Sequence, residues 1–211
     1  MIERIAIGGS AANPPHIGHL ALIEHLLKCG LFDKIIWIPS GIRKGKEELI
    51  DPNHRVAMTM LTFPLEFLYL HRMVFLINFQ DVYGKNTSTI DWLRRFSKEN
   101  PSDQIFWYTG ADSVVPQERL GGRCEIEAEW AEGDSLMRDW NFYILPRQND
   151  LHLSQFSLPP KFKFLEMEKL PDVSSTDIRE RIASGKPFET LVTQAVADYI
   201  KRFSLYGWEG R

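Results

Sequence analysis

The chain has 211 residues, 44% hydrophobic and 25% charged, with a formal net charge of −3 and a sequence pI near 6.1. That length can bury a sizeable core, and a single domain over 1–211 is expected. The charge balance supplies no general attraction to nucleic acid or an anionic bilayer. The two cysteines, Cys29 and Cys124, are too few for a disulfide framework or a thiolate zinc cage. No apolar run has the length of a membrane span or the form of a signal peptide, so a cytoplasmic protein is expected.

Strands and helices alternate along the chain. The apolar pattern predicts a strand over 2–7, a helix over 17–29, and a strand over 34–39 ("KIIWIP"). A helix over 53–63 and a strand over 73–79 follow. The next helix, 88–99, places Ile90, Leu93 and Phe96 on one face. Strands over 104–109 and 141–145 flank a polar stretch. Within that stretch 116–134, rich in Gly and Glu, reads as a surface excursion. A short strand over 162–167 precedes two helices, 175–184 and 188–203. Apolar strands separated by helices predict an α/β fold, a doubly wound parallel sheet with helices on both faces.

The first strand runs into "GGSAANPPHIGH", residues 8–19. In such sheets ligands bind outside the carboxyl ends of the strands. Gly8 and Gly9 lack a Cβ, which lets the backbone approach an anion. The helix start that follows offers unpaired N–H groups to phosphate. His16 and His19 lie three apart, on one face, and can donate hydrogen bonds to the same oxygens. Each feature alone is more often a turn or a solvated histidine, and their conjunction at one strand end points to a site. No further ligands stand at zinc spacing around the pair.

This segment resembles the G-G-[ST]-F-D-P-x-H-x-G-H signature of the H-x-G-H nucleotidyltransferases, and "VSSTDIRERI", 173–182, resembles their second element, I-S-S-T-x-I-R. "TSTIDWLRRF" (87–96), "YTGADSVV" (108–115) and the tail "VADYIKRFSLY" are similar to nicotinate (nicotinamide) mononucleotide adenylyltransferases. The likeness runs from Ile5 to about Tyr206 and implies a Rossmann-like nucleotidyltransferase fold. It departs at Ala11-Ala12-Asn13, where the family has Phe-Asp, and in a longer gap between Asp112 and Trp130. "SGIRKGKEELID" (40–51) replaces the family's Pro-Pro-His-Lys type loop.

The resemblance implies adenylyl transfer from ATP to nicotinate or nicotinamide mononucleotide, with pyrophosphate released, in NAD biosynthesis. It implies that His16, His19 and Arg179 act on the reacting phosphates. Gly8, Gly9, Ser10, Ala11, Gly110, Asp112, Ser175 and Thr176 would bind ATP. Thr89 and Trp130 would meet the pyridine mononucleotide, and Lys44 stands in a charged loop able to reach a phosphate or carboxylate. Read without the family, Ser175 and Thr176 could be helix caps, and Arg179 could pair with Asp177 or Glu180 on a solvated face. Magnesium is expected through the ATP phosphates, with no dedicated metal ligands. The implied partners are ATP and the mononucleotide, with neither nucleic acid nor membrane, and self-association into a homo-oligomer is left open. Three alternatives stand beside this reading: another phosphate acceptor such as phosphopantetheine, a class I aminoacyl-tRNA synthetase read from the literal "HIGH", or a non-catalytic nucleotide-binding protein.

Overall fold

The computed structural model describes residues 1–42, 49–146, 157–166 and 170–210. Its strands are β1 (Arg4–Ser10), β2 (Lys34–Pro39), β3 (Phe75–Ile77), β4 (Gln104–Gly110), β5 (Asn141–Leu145) and β6 (Phe162–Phe164). They form one sheet in the order β3-β2-β1-β4-β5-β6, and every pairing is parallel. The helices are α1 (Ile17–Lys28), α2 (Pro52–Thr62), α3 (Leu65–His71), α4 (Thr89–Glu99), α5 (Glu125–Glu129), α6 (Gly133–Asp139), α7 (Ser175–Ala183) and α8 (Gln194–Arg202). Among the described residues no helix is long and apolar enough to cross a membrane.

The two-residue period of the strands assigns the faces. Ile5, Ile7, Ile36 and Ile38 join one buried cluster with Ile90, Leu93 and Phe96 of α4. Their neighbours Ala6, Ile35 and Trp37 join the opposite cluster with Ile23 and Leu26 of α1. Successive side chains of a strand point to opposite faces, so near-continuous apolar runs such as "KIIWIP" are what a sheet covered on both sides requires. A third cluster packs Met58 of α2 against Ile178 and Ile182 of α7 and Val196 and Ile200 of α8. This packing brings the C-terminal helices to the α2 side of the sheet.

One break in the ladder creates the cleft. β1 pairs with β2 as far as Ser10↔Pro39, whereas β1 pairs with β4 only as far as Ile7↔Trp107. Both strands continue for three residues beyond that point. Their carboxyl ends therefore part where the strand order reverses, the crevice in which open α/β sheets bind ligands.

Four local expectations need correction. The 116–134 stretch is not a mere surface excursion, because α5 forms there and Cys124 and Ile126 enter the core. Helix α3 lies in "PLEFLYLHRMVFLINF", where no Gly or Pro separates helix from strand and only His71-Arg72 interrupts the apolar residues at the boundary. A turn closed by Val74 N–H on the His71 carbonyl (2.9 Å) then delays β3 to Phe75. The expected helix 188–203 is a 3₁₀ turn (Glu189–Leu191) followed by α8, which Thr193 caps by accepting from Val196 N–H at 3.4 Å.

Candidate active site

The β1–α1 loop is built to pass close to its neighbours. A Cβ on Gly8 would overlap the Tyr108 ring, and one on Gly9 would overlap the Ile38 carbonyl. The space freed by the two glycines is thus filled by protein, so packing between strands demands them independently of any anion. Beyond them, Ser10 Oγ accepts from Ala12 N–H at 3.2 Å, and Ala12 takes a left-handed φ of 47°. Asn13, the next residue, is buried.

His16 caps α1 with extended backbone, φ −149° and ψ 174°, and no acidic residue occupies the first turn. The helix itself therefore places no carboxylate against the positive end of its dipole. The two imidazoles stack at a centroid distance of 3.8 Å, and His19 also lies 5.5 Å from the Trp37 ring. His19 Nδ1 accepts from the His16 backbone N–H at 3.1 Å. That bond requires an unprotonated Nδ1, so the neutral ring carries its hydrogen on Nε2 as a donor.

Gly18 completes the motif. A Cβ there would stand 3.0 Å from both His16 Nδ1 and Val173 Cγ1. The absent methyl lets the His16 ring lie over the first helical turn with Val173 of the second motif beside it. Gly18→Ala should therefore displace the His16 ring. We expect kcat to fall by about tenfold or more, the scale of partly misplacing a transition-state donor. Helix propensity favours alanine by about 1 kcal/mol, so the melting temperature should hold. An unchanged kcat would show that the seating of His16 does not matter.

The second motif folds against the first, about 160 residues away in sequence. Ser174 is the cap of α7, accepting from Asp177 N–H at 3.1 Å, which leaves Ser175 for another partner. Ser175 Oγ donates to the Pro14 carbonyl at 2.8 Å. Arg179 Nη1 donates to the Asn13 carbonyl at 2.8 Å, and its Nη2 donates to Thr176 Oγ1 at 3.3 Å. Asp177 is taken by Arg181 at 2.8 Å, so among the described residues Arg179 pairs with neither Asp177 nor a solvated partner there but bridges Thr176 of its own helix and the β1–α1 loop. Tyr206 adds a third tie, its hydroxyl donating to Asn13 Oδ1 at 3.0 Å. Burial drives the Tyr206 phenol far above its ordinary range, so it remains a donor. Two helix starts and the imidazole pair are thereby gathered on one loop.

On the other side of the crevice, Gly110 ends β4 and opens a 3₁₀ turn that holds Asp112. Asp112 is exposed, and its carbonyl accepts from Gln117 Nε2 at 3.2 Å. Thr89 is the first residue of α4, capped by Ser88. Trp130 ends α5 half-buried and packs toward Phe142, with ring centroids 6.5 Å apart. Lys44 lies outside the described residues.

Residues 7–181 match the family model described as cytidylyltransferase-like. The chain belongs to that family. Among curated relatives, it is 29% identical to the probable nicotinate-nucleotide adenylyltransferase of Thermoanaerobacter sp., covering 96% of this chain and 94% of the relative. It is also 29% identical to the protein of the same name from Moorella thermoacetica, covering 96% and 91%. A solved structure of Plasmodium falciparum nicotinic acid mononucleotide adenylyltransferase, complexed with NaAD, superposes with a TM-score of 0.78. That superposition covers 98% of each chain at 20% identity, a likeness of fold.

Within this cytidylyltransferase-like fold two residues near the site escaped the sequence reading. Arg55 is 1% exposed and reaches the Ala11 carbonyl at 3.0 Å. Buried Asp81 accepts from Thr87 N–H at 2.8 Å, Thr87 Oγ1 at 2.6 Å and Trp92 Nε1 at 3.1 Å, anchoring the segment just before Thr89. Arg55 had a readable signal, since it shares the helical spacing of Met58, Thr59 and Thr62, the buried face of α2. Asp81 had none, because its partners are set by loop geometry.

Proposed function

We propose that the protein is a nicotinate-nucleotide adenylyltransferase that makes the dinucleotide of NAD biosynthesis from ATP and nicotinate mononucleotide. The observation that carries this reading is the joining of the two motifs, Ser175 and Arg179 bound to the carbonyls of Pro14 and Asn13. That joint supports one anion-binding floor made from the starts of α1 and α7. The names of the curated relatives supply the acceptor class.

In this reading a phosphate oxygen of the mononucleotide attacks the α-phosphorus of ATP. The new P–O bond forms as the bond to the bridging oxygen breaks, and pyrophosphate leaves with that electron pair. Little covalent work falls to the protein, so positioning and charge stabilisation dominate. The Nε2–H of His19 and the ring of His16 donate to the α-phosphoryl oxygens as charge gathers there. Arg179 and the start of α7, with Ser175 and Thr176, meet the departing pyrophosphate. The backbone from Gly8 to Ala11 lines the triphosphate, Gly110 and Asp112 hold the ribose, and Thr89 and Trp130 serve the pyridine. Among the described residues no three His, Cys, Asp or Glu side chains gather to hold a metal. Magnesium, when bound, would be carried on the triphosphate oxygens, where it would neutralise phosphate charge.

Initial rates of pyrophosphate release, measured with a panel of phosphorylated acceptors, test the substrate assignment. We expect nicotinate mononucleotide to give the highest kcat/KM, with nicotinamide mononucleotide second. A preference for phosphopantetheine, or release that ignores the acceptor, would refute it.

A further inference from the structure

Arg55 is a buried cation bound to neutral oxygens. Its Nη1 donates to the carbonyls of Ala11 (3.0 Å) and Ser40 (2.6 Å), and its Nη2 donates to the carbonyl of Val82 (2.9 Å). Among the described residues its Nε has no hydrogen-bond partner. The nearby carboxylate of Asp81 is committed to Thr87 and Trp92. Burial lowers the proton affinity of the guanidinium, yet an arginine stays charged in a protein. Among the described residues no carboxylate pairs with it; a buried charge held by neutral oxygens is costly, and a packed apolar side chain would serve the core better. The position calls for a reason beyond filling space.

The three carbonyls supply one. Ala11 lies in the loop after β1, Ser40 in the loop after β2 and Val82 in the loop after β3, all at the carboxyl edge of adjacent strands. The second and third loops are also fastened to each other. Ile42 N–H donates to the Gly84 carbonyl at 2.9 Å, and Asn86 N–H donates to the Ile42 carbonyl at 3.1 Å. Gly41 is held so close that a Cβ would overlap the Asp81 and Gly84 carbonyls. Through Asp81 and Thr87 the third loop continues to the start of α4 and Thr89. A planar guanidinium with donors in a fixed fork spans three such points rigidly, which a flexible ammonium cannot.

We infer that Arg55 is a positioning residue, a bracket that holds the ATP-side loop at Ala11 and the acceptor-side loop at Val82 at the separation adenylyl transfer requires. This rests on the function proposed above. Each substrate has its own contacts, so loosening the bracket leaves individual binding nearly intact and spoils their alignment. Misplacing reacting groups by about 1 Å costs about 10²-fold in rate.

The test compares wild type with Arg55→Lys and Arg55→Met. Hydrogen exchange of the nucleotide-free proteins should rise together in residues 10–13, 40–42 and 81–87 while the strands stay protected. Well below the melting temperature, Arg55→Met should lower kcat by about 10²-fold with each KM held within a few-fold, and Arg55→Lys should recover part of the loss. Exchange confined to α2, a change in KM alone, an unchanged kcat, or loss of a cooperative melt in both variants would each overturn the bracket. Failure of wild type to join ATP and nicotinate mononucleotide would strike the functional reading instead, and the exchange pattern would still decide whether Arg55 ties the loops.

Discussion

Replacing His19 with alanine should lower kcat for adenylyl transfer by about 10²-fold or more, the loss seen when one preorganised transition-state donor is removed. ATP affinity should fall by no more than a few-fold, because the donor is aimed at charge that develops during transfer rather than at charge already on the nucleotide. The geometry sharpens this expectation. His19 Nδ1 accepts from the His16 backbone N–H, so the neutral ring carries its hydrogen on Nε2, the nitrogen assigned to phosphate in this reading. His19→Gln, whose amide nitrogen can lie near the Nε2 position, should recover part of the rate. Steady-state kinetics with calorimetric binding of a non-hydrolysable ATP analogue checks both points. Wild-type kcat in His19→Ala would mean that the histidine only caps and stacks.

Arg179→Lys should show the second large effect, a fall in kcat/KM of about 10²-fold with the fold preserved. Arg179 is the fifth of nine residues in α7, beyond the first turn in which the helix dipole acts, so its contacts rather than the dipole set its orientation. Its Nη1 and Nη2 reach back to Asn13 and Thr176. The remaining donors of a planar guanidinium can take two oxygens of pyrophosphate in fixed geometry, which an ammonium cannot copy. Lysine can retain one of the two protein contacts, so thermal melting should drop by only a few degrees while inhibition by pyrophosphate weakens. Retained activity with a clear loss of stability would recast Arg179 as a strut between α7 and the β1–α1 loop.

What the sequence revealed and what it hid follow from the range of the forces involved. The strands were legible because burial on both faces demands unbroken runs such as "KIIWIP", and α4 because Ile90, Leu93 and Phe96 repeat at helical spacing. α3 was not, since "PLEFLYLHRMVFLINF" has no Gly or Pro after Pro64 to separate helix from strand. Cys124 and Ile126 looked like residues of a surface stretch because the Gly and Glu around them dominate the local composition. Only the third dimension shows them joining Ile90 and Phe142 in one cluster.

The candidate site divides in the same manner. His16 and His19 could be found from three-residue spacing at a helix start, and Ser175 and Arg179 from a second motif downstream. The hydrogen bonds that join them, Ser175 to Pro14 and Arg179 to Asn13, span sequence separations that no local pattern encodes. The role of the glycine pair was half legible: Gly8 and Gly9 mark a tight place, but the atoms that make it tight belong to Tyr108 and Ile38.

The central claim is that the two motifs together carry out transfer at the α-phosphorus of ATP, and the fate of that phosphorus tests it most directly. ATP isotopically labelled at the α-phosphate is incubated with nicotinate mononucleotide, and the products are resolved by mass spectrometry. The account predicts that the label passes into the dinucleotide, with one unlabelled pyrophosphate released for each dinucleotide formed. Recovery of the label in ADP with a phosphorylated acceptor, or in AMP regardless of acceptor, would contradict it.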